Sequence, residues 1–285
     1  MKKCIVILTV LVIIFSAFTS ILGVLSLNKM DTEFFTTIRG EQVEIVTSGI
    51  YKYNVKTLVV GGIPFDIIRL ISLPVLIIAL ILFIMNSFKS TLFLIGMISN
   101  LLYQYILWSF NWAYNSLYLV FVVTFSLCII IIILIFIRMN VDDYKKLIND
   151  RFPVKSISIF TICAGIMILL KCIGEIAPTI SSGSLPFGMA GYNTLIDQGL
   201  DIGIIFPFAV ISGVLLYRKN IYGYILSIVN LVIFFNLGLS VIAGAVLTGV
   251  ITGKPAFIGI SVFSVFLIVD LYLLIAALYN MKSKR

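Results

Sequence analysis

The sequence contains no histidine, which is both the commonest general base of enzymes and the commonest metal ligand. Its four cysteines form no Cys-x-x-Cys pair, so neither a zinc site nor a dithiol redox site is indicated. A Walker-type glycine-rich loop, an HExxH sequence and a histidine-dependent triad are also missing. We therefore expect no catalytic residue, no metal and no cofactor, and we do not expect an enzyme.

Charged residues are scarce as well. They make up 11% of the 285 residues, whereas hydrophobic residues make up 61% and the mean hydropathy is +1.19. A soluble domain has roughly 25% charged residues. One core cannot bury so much apolar surface, so the excess must face lipid. The formal net charge of +8 does not indicate nucleic acid, because the basic residues form short clusters between apolar runs. The expected partner is the lipid bilayer.

Eight apolar segments are long enough to cross about 30 Å of hydrocarbon as helices of about 20 residues. Strands are not expected, because backbone groups in lipid must be hydrogen-bonded within their own segment. The predicted fold is all-α: a polytopic transmembrane bundle of about eight helices in a single integral membrane domain. The predicted spans are residues 4–27, 67–85, 92–110, 117–137, 156–176, 201–216, 222–243 and 257–279.

The first segment follows Lys2 and Lys3, as the apolar core of a secretory signal peptide follows its basic residues. The run to Leu27 is longer than a usual signal core, and no clear small-x-small cleavage site follows it. We favour a retained anchor over a cleaved signal. Cleavage would leave seven spans with the remaining topology unchanged.

Lys and Arg residues in alternate loops predict the orientation. One side of the membrane holds 13 basic residues and the other holds 5, with Arg69 and Lys171 inside apolar segments. The richer side is predicted to be cytoplasmic, which places both termini there and the protein in the cytoplasmic membrane. The cytoplasmic set is Lys2, Lys3, Lys89, Arg138, Lys145, Lys146, Arg151, Lys155, Arg218, Lys219, Lys282, Lys284 and Arg285, and the outer set is Lys29, Arg39, Lys52, Lys56 and Lys254.

The longest outer segment is the extracytoplasmic loop at residues 28–62. Apolar residues alternate at period two in 43–45 and again in 51–55, with a Thr-Ser-Gly sequence at 47–49 between them. This pattern predicts a small β-hairpin on the outer face. Such a loop either caps the helices or acts as a lid or recognition element.

Two further connections are long. The outer segment 177–199 is rich in Pro and Gly, Gly188 among them. We favour a surface loop over a segment that dips partly into the membrane, for which it is apolar enough. The cytoplasmic loop 138–155 mixes three aspartates with five basic residues and is predicted to be a short amphipathic connector.

The chain also contains signs of a four-plus-four repeat. Two halves with four helices each would share one orientation and be related by an axis along the membrane normal. Apolar sequences match easily by chance, so the repeat is a hypothesis. The matched pairs are Lys89 and Asn100 with Lys219 and Asn230, Asp66 and Pro74 with Asp201 and Pro207, and residues 125–127 with 263–265.

Ionisable groups inside apolar spans are expensive unless they are paired or hydrated, so each is a candidate for a ligand or ion pathway. Asp66 with Arg69 and Lys171 with Glu175 share helix faces, and Asp201 begins the sixth span just after Asp197. With the predicted topology all lie toward the outer leaflet.

We consider two interpretations of these charges. They line one outward-opening polar cavity together with Gln104, Asn111 and Asn115, or they form local salt bridges whose basic side chains snorkel to the interface. The aromatic residues nearby are predicted to form an interface belt: Tyr103, Tyr105, Trp108, Trp112 and Tyr114.

Asp270 differs from these residues because it lies near the middle of the eighth span, about 20 Å from its outer end at about 1.5 Å per residue. No basic residue is a helical neighbour. Asp270 is either a proton- or cation-coupling group, or a neutral acid hydrogen-bonded between helices, with Asn230, Asn236 or Tyr272 as the candidate partners.

Two stretches carry a resemblance. The first is Leu200-Asp201-Ile202-Gly203 followed by Pro207, the run Gly-Val-Leu-Leu-Tyr-Arg-Lys at 213–219 and Gly223-Tyr224; the second is 38–43 followed by 49–53. Together they resemble a group of uncharacterised prokaryotic multi-pass membrane proteins, over most of the chain. The resemblance implies no activity. It directs attention to Asp201 and to Arg39 and Glu41, which become candidate recognition residues of the outer loop.

These patterns predict a multi-pass membrane protein that binds or transports a small solute or ion. The site would comprise Asp66, Arg69, Lys171, Glu175 and Asp201, with Asp270 as a coupling group. The alternative is a sensor, assembly factor or partner subunit that acts through its outer loop. An intramembrane enzyme using Asp, Glu, Lys or Ser is a third, minor alternative. The sequence leaves open whether a protein partner or a homo-oligomer is involved.

Overall fold

The computed structural model describes residues 1–186, 189, 191–253 and 257–282, apart from the side chains of Lys29, Asp142, Tyr144, Thr252 and Ile258. Gly188, Lys254, Lys284 and Arg285, which enter the predictions above, lie outside the described residues. Eight helices in the described part are long and apolar enough to cross a membrane. The predicted helical bundle is therefore confirmed, and the chain is a multi-pass membrane protein.

The helices follow the predicted spans, with longer ends. α2 begins at Lys56 rather than near residue 67, because its first turns are covered by protein: Val59 and Ile63 are fully buried. α6 continues to Ser182, so the start of the predicted loop 177–199 is helical. The helices are α1 Lys2–Leu25, α2 Lys56–Ile84, α3 Phe88–Phe110, α4 Tyr118–Arg138, α5 Val141–Leu147, α6 Val154–Ser182, α7 Ile196–Leu200, α8 Phe206–Tyr217, α9 Ile221–Thr252 and α10 Phe257–Tyr279.

The outer segment contains the predicted hairpin, but one of its strands was assigned wrongly. β1 Thr32–Thr36 pairs antiparallel with β2 Gln42–Val46, and Gly40 adopts a positive φ of 84° in the turn between them. The expected partner at 51–55 turns instead, because Tyr53 has a positive φ of 71° and α2 starts at Lys56. Only an isolated bridge between Ile45 and Val55 remains of that pairing.

Two central helices hold the bundle together. α3 and α9 are mostly buried, whereas about a third or less of each other span is buried. In the first half, α1 contacts α2, α2 contacts α3, α3 contacts α4 and α4 contacts α1. In the second half, α6, α8, α9 and α10 contact one another in the same cyclic order. This shared order is what a four-plus-four repeat requires.

The turns before α3 and α9 are the same structure. In each, the middle residue has a positive φ, 61° at Asn86 and 54° at Lys219, and the next residue caps the following helix. Asn86 and Lys219 are 133 positions apart, as are Pro74 and Pro207. The geometry thus supports the repeat and the matched prolines. It aligns Lys89 with Tyr222, Asp66 with Gly199 and Asn100 with Ile233, so the other matched pairs are not equivalent positions.

Both ends of the described chain lie at one end of the bundle. Lys2 contacts Asn86 in the turn before α3, and Met281 forms a bridge with Ile148, which follows α5. We call this the inner end and the end with the hairpin the outer end. An even number of spans produces this arrangement.

Candidate functional site

The charged residues of the outer half form two separate groups, on either side of α3. Asp66 and Arg69 lie between α1, α2 and α3. Lys171, Glu175 and Asp201 lie where α6 and α8 meet α3, and Asp197 joins them. Among the described residues, no hydrogen bond or ion pair joins the two groups.

The first group is the Arg69 cluster, made of Ser20, Tyr51, Asp66, Arg69, Gln104 and Trp108. The Arg69 guanidinium donates to Asp66 Oδ1 at 3.0 Å, to Gln104 Oε1 at 2.9 Å and to Ser20 Oγ at 3.0 Å. It also lies over the ring of Trp108, 4.8 Å from the centroid, and over that of Tyr105 at 4.7 Å. Both charged side chains have no exposed surface, so Arg69 does not snorkel to the interface.

Tyr51 ties the outer segment to this cluster. Its hydroxyl donates to Asp66 Oδ2 at 2.5 Å and accepts from Trp108 Nε1 at 3.0 Å. Burial and the neighbouring Asp66 carboxylate raise the pKa of Tyr51 well above its usual value. Gly23 of α1 packs directly against Asp66 and the Tyr51 hydroxyl, where a Cβ would overlap both. The cluster is therefore closed on the outer side.

Burial also changes the interpretation of the aromatic residues. Tyr105, Trp108 and Trp112 are buried, and the two tryptophan rings stack at a centroid distance of 4.8 Å. They surround Arg69 and Tyr51 instead of forming an interface belt, so that prediction was wrong for these three. Asn100, Gln104 and Trp108 recur every four residues and so share one face of α3, which is the signal that could have identified them.

A small cavity borders the inner side of the Arg69 cluster. Its volume is about 10 Å³, and its polar lining comes from Ser72, Asn100, Gln104 and Asn236 besides Arg69. Arg69 Nη2 is buried and has no hydrogen-bond partner among the described residues. The cavity is about the size of one water molecule. It is too small for an organic solute.

The second group is the acidic cluster, made of Glu175, Asp197 and Asp201 with Lys171 beside them. Asp201 Oδ1 accepts from the Tyr103 hydroxyl at 2.8 Å, and Asp197 Oδ1 accepts from Asn111 Nδ2 at 2.5 Å. Lys171 lies 3.5 Å from Glu175, and its side chain is 56% exposed. One exposed base therefore stands beside three carboxylates.

An irregular turn positions Asp201. Residues Asp201–Ile205 form a π-helical turn in which Phe206 N–H donates to Asp201 O. Pro207 follows and has no N–H to donate, which favours a widened turn at this point. π-helical turns inside α-helices occur frequently at functional sites. Asp197 and Asp201 are four residues apart, about one helical turn, with Asp201 deeper in the bundle.

A cavity of about 530 Å³, which we call the outer cavity, opens at the outer end above the acidic cluster. Its walls are β2, the start of α2, Leu185 with Pro186, and residues between 192 and 198. Asp197, Asn111 and Gln198 line it, as do Glu41, Glu44 and Lys56. Glu44 and Lys56 pair at 2.8 Å, and this bond together with that from Thr32 lowers the pKa of Glu44.

Arg39 and Glu41 lie at the tip of the hairpin and pair with each other at 3.1 Å. Arg39 also donates to the backbone oxygens of Met189 and Tyr192. Tyr192 in turn contacts Asn54 and the backbone of Val55, and burial raises its pKa to about 12. Arg39 thus fastens the hairpin to the other outer segment, and together they form the rim of the outer cavity.

Asp270 lies apart from both groups, buried in α10. Its two carboxylate oxygens have no partner among the described residues. Asn230 bonds to Ser212, Asn236 bonds to Ser72 and to backbone, and Tyr272 is 69% exposed. Asp270 therefore forms a hydrogen bond with none of these three residues.

Comparison with known proteins adds no assignment. The chain matches no protein-family model, no curated protein and no solved structure. Among the described residues, no group of three or more His, Cys, Asp and Glu residues is placed to hold a metal ion.

Proposed function

We propose that this membrane protein binds a small cationic solute in the outer cavity and transports it through the bundle. The observation that carries the proposal is the cavity of about 530 Å³ with Asp197 in its lining and the rest of the acidic cluster beneath it. A volume of this size suits a small molecule or a partly hydrated ion.

The charge balance indicates a cation. At the rim, Glu41 pairs with Arg39 and Glu44 pairs with Lys56. Deeper in, the side-chain partners of Asp197 and Asp201 among the described residues are neutral, an amide and a phenol. Carboxylates left in excess at the edge of a membrane are stabilised by a bound positive charge.

The order of the carboxylates suggests a path inward. Asp197 lies at the cavity, and Asp201 lies one turn deeper on a π-helical turn whose loosened backbone can adjust to a ligand. Asp270 lies deeper still and is the candidate coupling group of this proposal. In a transporter that alternates between states, such a path opens to one side of the membrane at a time.

Binding is tested with purified protein in nanodiscs and a series of probes: sodium, potassium, ammonium, methylammonium and a diamine. The variants Asp197→Asn and Asp201→Asn keep size and hydrogen bonding but remove the charge. At least one cation is expected to bind, and each variant is expected to weaken it roughly tenfold or more. Glu33→Gln is the control, since Glu33 is exposed on the hairpin and does not line the cavity. Unchanged affinity in both aspartate variants would contradict the proposal.

Transport is tested by flux of the bound cation into proteoliposomes. Asp201→Asn and Asp270→Asn should abolish the flux while the protein still inserts and folds. Flux that persists in both variants would rule out this pathway. Binding without any flux would reduce the proposal to a cation-binding membrane protein.

One observation favours the second candidate, a partner subunit that acts through its outer loop. Phe34, Phe35 and Ile38 on the hairpin are 77%, 54% and 104% exposed. The variant Phe34→Ser with Ile38→Ser removes the two most exposed of these side chains without touching Tyr51 or Arg39. Under this alternative, a protein that co-purifies with the native chain is lost from the variant while cation binding is unchanged.

A further inference from the structure

We propose that the inner end of the bundle carries a second site, which binds the phosphate headgroup of an anionic phospholipid. The site lies in a cavity of about 530 Å³ between α2, α3, α4 and α5. It is independent of the outer cavity and of the function proposed above.

Two basic side chains converge on Asn86: Arg138, which lines the cavity with Asn86, and Lys2, which reaches Asn86 from outside the cavity lining. Lys2 Nζ donates to Asn86 Oδ1 at 2.9 Å, and Arg138 donates to the same oxygen at 3.3 Å. Lys2 Nζ also donates to Ile84 O, and the Arg138 guanidinium lies 5.3 Å from the Phe83 ring centroid. Neither base forms an ion pair with a described residue.

Two positive charges that share an amide oxygen repel each other, and Asn86 cannot neutralise them. An anion beside that oxygen would be held by both. Asp143 is the carboxylate in the cavity lining, and it lies 3.9 Å from Lys146, which offsets its charge. The local charge therefore favours a phosphate group.

The lining and position favour a lipid over free phosphate. Half of the residues that line the cavity are polar, and the other half are apolar, including Phe83, Phe88 and Ile135. Met85 in the lining, just after the end of α2, is 70% exposed, and Ile137 next to Arg138 is 64% exposed. A basic pocket between helices at the end of the hydrocarbon region is a typical headgroup site. By the distribution of basic residues, this end is the predicted cytoplasmic side.

The test is native mass spectrometry of the full chain titrated with phosphatidylglycerol or phosphatidylcholine. The native protein should retain phosphatidylglycerol preferentially. Lys2→Gln and Arg138→Gln should each weaken that binding roughly fivefold, and together roughly 25-fold, at about 1 kcal/mol for each base. The matched control is Arg218→Gln with Lys219→Asn, which removes two charges from the equivalent turn before α9, outside this cavity.

A third variant separates binding from folding. Asn86→Asp places a carboxylate between the two bases, so it should raise thermal stability while weakening phosphatidylglycerol binding. Three results would overturn the proposal: no preference for the anionic lipid, equal losses in the control, or displacement of the lipid by an equal concentration of inorganic phosphate. The last result would assign the site to free phosphate instead.

Discussion

The Arg69 cluster and the acidic cluster contain the same kinds of residue on two sides of α3, yet they differ in every physical respect. In the first, a base and an acid with no exposed surface bond to each other and have five further hydrogen-bonding or ring partners between them. In the second, three carboxylates stand beside one half-exposed lysine and below an open cavity.

The difference teaches which intramembrane charges to associate with function. A charge pair whose partners all come from the protein itself fixes the packing of helices, here that of α1, α2 and α3 with the outer segment. Carboxylates in excess, next to a cavity, leave their charge for a ligand to neutralise. Burial alone does not distinguish the two cases. The distinction is whether charged partners within the protein balance the carboxylates.

The largest expected effect comes from breaking the buried pair. Arg69→Met leaves the Asp66 carboxylate buried with Tyr51 as its remaining partner, and losing one member of a buried pair costs about 3–5 kcal/mol. Lys171→Met removes the base of the exposed pair and should cost under about 1 kcal/mol. The measurement is thermal unfolding of each variant in the same detergent.

Adding Asp66→Asn to Arg69→Met should restore part of the stability, because the amide carries no charge. Lys171→Met should also tighten cation binding in the outer cavity, since it removes the competing positive charge. Similar losses of stability in Arg69→Met and Lys171→Met would show that the clusters do not differ as described.

A smaller effect is expected from filling space beside each cluster. In Gly23→Ala the new Cβ overlaps the Asp66 carboxyl and the Tyr51 hydroxyl, which should destabilise the protein by about 1–3 kcal/mol. Gly174→Ala, next to Glu175, meets no atom within 4 Å and should change stability by under about 0.5 kcal/mol. Thermal unfolding compares them, and a tolerated Gly23→Ala would mean that the Arg69 cluster is loosely packed.

Asp270 belongs to neither type, and replacing it should raise the stability of the protein instead of lowering it. Its oxygens are buried without partners, so Asp270→Leu removes an unsatisfied polar group and should stabilise the protein by about 1–2 kcal/mol. Asp66→Leu should destabilise it, because Arg69 then loses its counter-charge. If Asp270→Leu also destabilises the protein, a partner that the structure does not contain must satisfy this carboxyl group.

Local sequence predicted much of the fold. Apolar runs located all eight spans and the period-two pattern located β2, since both signals depend on residues close in the chain. The start of α2 at Lys56 and the pairing of β2 with β1 depend on how the outer segment folds over the helices. No pattern within a short stretch of sequence predicts how the outer segment packs over the helices.

The same limit applies to the site. The rule that charges in apolar spans are unusual identified Asp66, Arg69, Lys171, Glu175, Asp201 and Asp270. The partners that separate these residues come from other helices and loops: Tyr51 for Asp66, Gln104 for Arg69, and Tyr103 for Asp201. Residues distant in sequence supplied the distinction between a closed cluster and an open one, so only the tertiary structure could provide it.

The smallest expected effect concerns the Glu44–Lys56 pair at the rim of the outer cavity. Removing this pair tests whether exposed charges there stabilise the fold at all. The bonds from Lys56 and Thr32 lower the pKa of Glu44 in the folded protein below its usual 4.5. The stabilisation is therefore fully present above pH 4.5 and is lost as the pH falls through the lowered pKa. As a pair with both side chains about a third exposed, it should contribute under about 1 kcal/mol.

Thermal unfolding between pH 3 and 7 should show a slightly smaller acid-induced loss of stability in Glu44→Gln than in the native protein, with Glu33→Gln as the exposed control. An effect of Glu44→Gln as large as that of Arg69→Met would mean that the rim, and not the buried cluster, anchors the outer segment.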